Sequence, residues 1–134
     1  MITAVDTNVL LNLLIPDAPH AADAELALND AARAGAVVIS PLVYAELGAF
    51  FASEADLRRF QDETGMVVDA LGLEGLHAAG QAWKIYNQRR GRGRRQHIIS
   101  DFIIGAHALY QADCLLTRDR GIYGTYFPDL RLTR

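Results

Sequence analysis

Four acidic residues stand where a carboxylate could take part in chemistry. Two follow apolar runs that are typical of strands: Asp6 comes directly after ITAV, and Asp119 comes two residues after CLLT. Glu46 is the only charged residue in PLVYAELGAFFA, and Asp101 is set into the apolar segment IISDFIIGAHAL. If all four come together, their like charges raise each other's pKa, and a divalent cation removes that conflict. Clustered carboxylate oxygens suit Mg²⁺ or Mn²⁺, and the matching chemistry is metal-assisted hydrolysis of a phosphodiester.

Each of these acids also has a simpler explanation. Asp6 and Asp101 could cap helices, and Asp119 could form an Asx-turn. Glu46 could lie on the solvent-facing side of its helix. These explanations treat the acids one at a time and leave their common position unexplained, so we favour a shared site.

The elements that must position these acids are strands alternating with helices, which predicts an α/β domain with a parallel sheet. The predicted strands cover 2–5, 36–40, 66–70, 114–117 and, at the end of the chain, 130–132. Parallel strands end at the same edge of a sheet, and such sheets bind ligands at that carboxyl edge. Asp6 and Asp119 should therefore emerge together there.

Capping residues mark the helices between the strands. Ser40 with Pro41 and Ser53 begin helices, and Gly35 and Gly65 end them. The predicted helices cover 9–15, 20–34, 41 to about 51, 54–64, about 73–90 and 98–109. In the long helix, the spacing predicts a buried face made of Leu73, Leu76, Gly80 and Trp83.

Length and composition indicate one soluble domain, residues 1–134. About half of the residues (51%) are apolar and 22% are charged, which is typical of a globular protein. The first residues lack a basic leader, and no apolar run approaches the roughly 20 residues that a membrane-spanning helix needs. Cys114 is the only cysteine, so an internal disulfide is impossible and a reducing compartment is expected. We therefore expect a cytoplasmic protein with no membrane contact.

With these residues in hand, the sequence resembles the PIN-domain ribonucleases, and among them the VapC-like toxins of type II toxin–antitoxin systems. The resemblance covers essentially the whole chain and is carried by AVDTNVLLNLL, SPLVYAEL, ISDFIIGAHAL and LLTRDRGIY. It implies a PIN-like three-layer α/β/α domain with a central parallel sheet of four to five strands. It also implies an endoribonuclease that leaves 5′-phosphate and 3′-hydroxyl ends, a homodimer, and inhibition by a cognate antitoxin whose C-terminal segment occupies the active-site groove.

The resemblance also assigns site residues. It implies that a catalytic quartet holds Mg²⁺ or Mn²⁺, made of Asp6, Glu46, Asp101 and Asp119. The fourth of these matches a position that varies more within the family. Thr7 and Asn8 match the polar pair after the first acid, and Thr117 matches a small hydroxyl residue that orients acids or water.

Basic residues are concentrated late in the chain. Residues 1–88 carry a net charge of −8, and residues 89–134 carry +5. The arginines of this second part that are candidates for RNA contact are Arg89, Arg90, Arg92, Arg94, Arg95, Arg118 and Arg120. Two other interpretations stay open for the five arginines of 89–95: a solvated loop, or a docking site for acidic residues of an antitoxin.

Three further residues could be mistaken for parts of the site. His97 and His107 are expected to be structural, because neither has a metal-motif partner and Mg²⁺ prefers oxygen. Tyr86 could stack on a base of the substrate.

Two other functions compete with the ribonuclease. A haloacid-dehalogenase-like phosphatase also begins with an aspartate after its first strand, but it needs a second aspartate where this chain has Asn8. Such an enzyme also needs a downstream lysine, and the only lysine here is Lys84, on the long helix. The other competitor is a PIN-like RNA-binding module without catalytic activity. The intact set of acids argues against this alternative.

Overall fold

The structure is a computed structural model that describes residues 1–89 and 99–133. Within them, one parallel sheet has the strand order β3-β2-β1-β4-β5. The strands are β1 (Ile2–Val5), β2 (Ala36–Ile39), β3 (Val67–Val68), β4 (Cys114–Leu116) and β5 (Leu132–Thr133). The helices that cover the sheet are α1 (Thr7–Leu14), α2 (Ala21–Ala34), α3 (Pro41–Gly48), α4 (Glu54–Thr64), α5 (Leu73–Arg89), α6 (Ile99–Gln111) and α7 (Arg120–Tyr126). The predicted three-layer α/β/α fold is confirmed.

The central strand β1 places the first acid. It pairs in parallel with β2 on one side and with β4 on the other, and its last three residues are buried. The ladder continues one residue further, because the Asp6 backbone N–H donates to the Leu116 carbonyl at 2.9 Å. Asp6 is therefore fixed at the carboxyl edge of the sheet, as predicted.

Most predicted helix ends are confirmed. The Ser40 and Ser53 side chains accept hydrogen bonds from the backbone N–H groups three residues later, at 3.3 and 3.1 Å. Gly65 ends α4 in the left-handed conformation, with φ of 71°, which glycine adopts without strain. Helix α3 ends at Gly48, before the predicted end near Phe51, because tighter turns follow it: the Phe50 N–H donates to the Leu47 carbonyl.

The predicted buried face of α5 is wrong. Leu73 is 84% exposed and Leu76 is 39% exposed, and Trp83 is only partly buried against the core. The buried residues are instead Gly75, Ala79, Ala82 and Tyr86. Both sets recur at helical spacing. Gly75, Ala79 and Ala82 are small enough to let another helix approach closely, a distinction that apolar periodicity does not register.

The end of the chain also differs from the prediction. Helix α7 was not predicted, because RGIYGTY contains two glycines and has weak helix propensity. Buried Ile122 and Tyr123 stabilise it through packing against the core. The last strand is Leu132–Thr133, two residues later than the predicted start at Leu130, whose side chain is buried in the core instead.

Helix α6, which carries Asp101, packs through a glycine. A Cβ built at Gly105 would lie 2.6 Å from Cε2 of Phe127, so Gly105→Ala must displace α6 or that ring. We expect a loss of about 1–3 kcal/mol in the free energy of unfolding, measured in urea. The matched control is Gly80→Ala on α5, where, among the described residues, the new Cβ meets no atom within 4 Å apart from its chain neighbours and the backbone of its own helix. That change should stabilise by about 0.5–1 kcal/mol, and equal effects of the two substitutions would contradict this packing.

No helix in the described ranges is both long enough and apolar enough to cross a lipid bilayer.

Candidate active site

Asp6 is the centre of the candidate site. It lies at the N-cap position of α1 and is only 6% exposed. Its Oδ1 accepts the Thr7 backbone N–H at 2.7 Å, and its Oδ2 accepts two hydroxyl groups, from Thr117 at 2.8 Å and from Tyr123 at 3.1 Å. A buried carboxylate with this many fixed donors is held in one orientation.

The carboxylate of Asp6 is buried, which raises the energetic cost of its ionised form. Burial, with a smaller contribution from the negative charge of Asp101, raises its pKa to about 6 against the lowering effect of the three hydrogen bonds. Asp6 is therefore mostly ionised near neutral pH, and within residues 1–89 and 99–133 no lysine or arginine pairs with it. Binding a cation would relieve the cost of this buried charge.

Glu46 is linked to the same strand end through Thr7. The Thr7 hydroxyl donates to Glu46 Oε1 at 2.8 Å, which ties the start of α1 to α3. Thr7 thus holds both acids, Asp6 with its backbone and Glu46 with its side chain. Glu46 itself is solvent-exposed.

Asp101 and Asp119 approach the centre from two other elements. Asp101 is in the first turn of α6, inside the helix rather than at its N-cap, and its charge acts on both Asp6 and Tyr123. Asp119 lies at the N-cap position of α7, and its charge also acts on Tyr123. Elements that are far apart in sequence therefore bring carboxylates to one edge of the sheet.

Thr117 and Asn8 make the supporting contacts. The Thr117 hydroxyl accepts the Asp119 backbone N–H at 3.0 Å and donates to Asp6 Oδ2. The Asn8 Oδ1 accepts the Arg118 backbone N–H at 3.3 Å, which joins α1 to the loop after β4. Both side chains hold the polypeptide around the acids.

Tyr123 was missed by the sequence reasoning. Its side chain is 1% exposed, and burial together with the charges of Asp6, Asp101 and Asp119 raises its pKa well above the ordinary range, so it stays protonated. The sequence offered one signal, a tyrosine that follows the TRD motif at about one helical turn. That signal is useful only once the segment is known to be a helix, and α7 was not predicted.

Only three of the seven arginines predicted to contact RNA lie among the residues that the structure describes. Arg89 is the last residue of α5 and lies over the Tyr126 ring, 5.8 Å from its centroid. Arg118 follows Thr117 and is partly buried, and Arg120 is exposed at the start of α7. The remaining candidates lie outside the described residues, as does His97: Arg90, Arg92, Arg94 and Arg95.

Two residues considered for the site have structural roles. Tyr86 is 7% exposed and packs against the rings of Phe102 and Tyr126, so the prediction that it stacks on a base is wrong. His107 is 1% exposed, and its Nε2 lies 2.9 Å from Asp69 Oδ2, which also accepts a hydrogen bond from Gln111. This cluster links α6 to the segment after β3.

The carboxylate oxygens of the site are of the type that a hard divalent cation prefers, although the acids alone do not form a complete metal-binding site. Among the described residues, no group of three or more His, Cys, Asp or Glu side chains is arranged to hold a metal ion. Mg²⁺ usually keeps several waters and binds through one or two carboxylates plus substrate phosphate. Asp6 and Asp101, whose charges interact, are the two carboxylates that would form such a pair.

Several solved structures share this fold. The chain is similar to a chain of VapBC2 from Rickettsia felis bound to a promoter DNA fragment, with 20% identity, a TM-score of 0.70, and coverage of 99% of this chain and 98% of that one. It is also similar to VapBC-1 from nontypeable Haemophilus influenzae, with 22% identity, a TM-score of 0.65, and coverage of 99% and 97%. FitAcB from Neisseria gonorrhoeae matches with 21% identity, a TM-score of 0.62, and coverage of 100% and 97%.

These identities are low, so the structural matches establish the fold alone. No curated protein sequence matches the chain closely enough to count as a relative. The model of the PIN domain family, in contrast, matches residues 3–128, which is nearly the whole chain. The chain therefore belongs to the PIN domain family.

Proposed function

We propose that this PIN domain is a metal-dependent endoribonuclease that hydrolyses RNA phosphodiester bonds. The observation that carries the proposal is the buried Asp6 carboxylate, which lies beside the charge of Asp101 at the carboxyl edge of the sheet. Two interacting carboxylates at that edge match the chemistry by which Mg²⁺ or Mn²⁺ is bound. Once bound there, the ion would lower the pKa of a water and offset the charge that develops on the phosphoryl oxygens.

The roles of the individual residues follow from their surroundings. Asp6 and Asp101 are proposed as the principal ligands, because Asp6 is buried and the charge of Asp101 acts on it. Glu46 is exposed and held by Thr7, which supports a proposed role in accepting a proton from the attacking water. Asp119 completes the proposed quartet from the other side, where Thr117 connects its backbone to Asp6.

We further propose that the chain is the toxin of a toxin–antitoxin pair and forms a homodimer in the cytoplasm. The support is the family together with the fold, which is shared with chains of the VapBC2, VapBC-1 and FitAcB structures. A cognate antitoxin would silence the enzyme by covering the carboxyl edge of the sheet at Asp6. Arginines at both sides of Asp119 and at the end of α5 supply positive charge for RNA phosphates or for acidic antitoxin residues.

The competing functions have weaker support. A haloacid-dehalogenase-like phosphatase needs an acid at the position of Asn8, and the amide oxygen of Asn8 is instead engaged by the backbone of Arg118. An inactive RNA-binding module has no need for a buried, ionised Asp6, since burying that charge destabilises the fold.

The test is cleavage of a labelled total-RNA pool by the purified chain, with Mn²⁺, with EDTA, and with Asp101→Asn in place of the wild type. We expect discrete cuts with 5′-phosphate ends that require the metal. Asp101→Asn should slow cleavage by at least about 100-fold, because the metal supplies several kcal/mol of transition-state stabilisation.

A folded wild-type protein, free of any bound inhibitor, that makes no cuts would favour the inactive RNA-binding module. Hydrolysis of a small phosphomonoester would favour the phosphatase. Cuts that survive both EDTA and the substitution would show that the site lies elsewhere or that another nuclease is present.

A further inference from the structure

We propose that Tyr123 is a positioning residue that reserves one oxygen of Asp6, Oδ1, for the metal ion. The inference rests on the proposed metal-dependent function and specifies which oxygen of Asp6 would bind the ion. Tyr123 comes from α7, the element that joins the carboxyl edge of the sheet to the last strand. Its hydroxyl lies 3.1 Å from Asp6 Oδ2 and reaches that atom from inside the protein core.

A count of lone pairs on the two carboxylate oxygens gives the assignment. An ionised carboxylate offers about four acceptor sites in total, two on each oxygen. Oδ2 already accepts the Thr117 hydroxyl at 2.8 Å and the Tyr123 hydroxyl at 3.1 Å. Oδ1 accepts one donor only among the described residues, the Thr7 N–H at 2.7 Å. The remaining site is on Oδ1, so Asp6 must bind a cation through one oxygen.

Both hydroxyl groups are held as donors. The Thr117 oxygen accepts the Asp119 backbone N–H at 3.0 Å, which turns its own proton toward Asp6. Tyr123 must donate because an ionised carboxylate can only accept. The ring of Tyr123 is 1% exposed and packs beside Phe127, with 6.5 Å between the ring centroids, so the hydroxyl has little freedom to move away.

One-oxygen binding favours a small cation over a large one. Mg²⁺ requires a near-ideal octahedron, whereas Ca²⁺ accepts carboxylates through one or both oxygens. Tyr123→Phe opens a lone pair on Oδ2 and loosens the carboxylate. We expect the affinity for Mg²⁺ to fall about 10-fold, as for other residues that orient a ligand, while the affinity for Ca²⁺ falls less or rises. The preference for Mg²⁺ over Ca²⁺ should therefore decrease.

The experiment is calorimetric titration of the full apo chain with Mg²⁺, Mn²⁺ and Ca²⁺, for the wild type and for Tyr123→Phe. The matched control is Tyr110→Phe, which removes a hydroxyl from a 46% exposed tyrosine outside the site. It should leave all three affinities unchanged. Thr117→Val removes the other donor to Oδ2 and should also lower the preference for Mg²⁺ over Ca²⁺. Thr117→Ser keeps a hydroxyl group and should leave that preference as it is in the wild type. This second pair applies even if Tyr123→Phe fails to fold.

The outcomes separate this inference from the function on which it rests. If the wild type binds the ions and neither Tyr123→Phe nor Thr117→Val changes the ratio of the Mg²⁺ and Ca²⁺ affinities, the positioning role is wrong and the metal site stands. Equal weakening of all three ions would also overturn it, because a merely structural role predicts that result. If the folded wild type binds none of the three ions, both the metal site and the role of Tyr123 are overturned.

Discussion

Asp6→Asn is expected to abolish RNA cleavage and, at the same time, to make the metal-free protein more stable. The substitution removes a carboxylate whose pKa burial raises from 3.8 to about 6. Keeping that group ionised near neutral pH costs up to about 3 kcal/mol, at 1.36 kcal/mol for each pKa unit. Part of this gain is offset because the amide keeps only one acceptor oxygen, so its NH2 group cannot accept all the hydrogen bonds that Asp6 receives from Thr7, Thr117 and Tyr123. We therefore expect a net gain of about 1–2 kcal/mol.

The measurement is urea unfolding in EDTA near neutral pH, together with the cleavage assay on the same samples. Asp129→Asn is the matched control, since that acid is exposed and lies outside the site; it should change the unfolding free energy by less than about 0.5 kcal/mol. A destabilised Asp6→Asn protein would show that the carboxylate is needed for the fold. Wild-type cleavage by the variant would remove Asp6 from the active site.

The second large effect is the pH dependence of stability and its reversal by metal. Because the pKa of Asp6 is higher in the folded state than its ordinary value of 3.8, the folded state binds this proton more tightly. The resulting stabilisation is fully present below a pH of about 4 and is lost as the pH rises through about 6. The unfolding free energy of the wild type minus that of Asp6→Asn isolates this contribution from the other carboxylates.

Adding Mn²⁺ should reverse the loss. Near neutral pH, an ion at 100 times its dissociation constant stabilises the wild type by about 2.7 kcal/mol. Near pH 5 the gain should be smaller, because protons compete for the same carboxylate. Asp6→Asn should gain much less at either pH. If the unfolding free energy of the wild type minus that of Asp6→Asn does not change between about pH 4 and 7, the raised pKa is contradicted. Equal stabilisation of both proteins by Mn²⁺ would place the ion away from Asp6.

The position of the acids could be predicted from the sequence because strand ends are local signals. Asp6 interrupts a short apolar run and stands before a helix, and the parallel ladder then fixes its height at the sheet edge. The same reasoning placed Thr117 at the end of β4, where it reaches Asp6. These predictions needed only the alternation of strands and helices and the rule that parallel strands end together.

Tyr123 could not be predicted because its role depends on tertiary packing. Its segment has weak helix propensity, and the helix exists because Ile122 and Tyr123 are buried against the core. The buried face of α5 failed for a related reason. Two stripes share the helical period, and the choice between Leu73 and Ala79 as a core residue is made by how closely the neighbouring helix approaches. The spacing of apolar residues in the sequence contains no information about the distance between the two helices.

The central claim is that Asp6 and Asp101 bind the catalytic ion, and anomalous diffraction from crystals of the chain soaked in Mn²⁺ tests it most directly. We predict a peak at metal–oxygen bonding distance, roughly 2.2 Å, from Oδ1 of Asp6 and from a carboxylate oxygen of Asp101. The peak should be absent from Asp6→Asn crystals prepared in the same way. A fully occupied Mn²⁺ elsewhere on the chain, or no peak at a concentration that supports cleavage, would contradict the account.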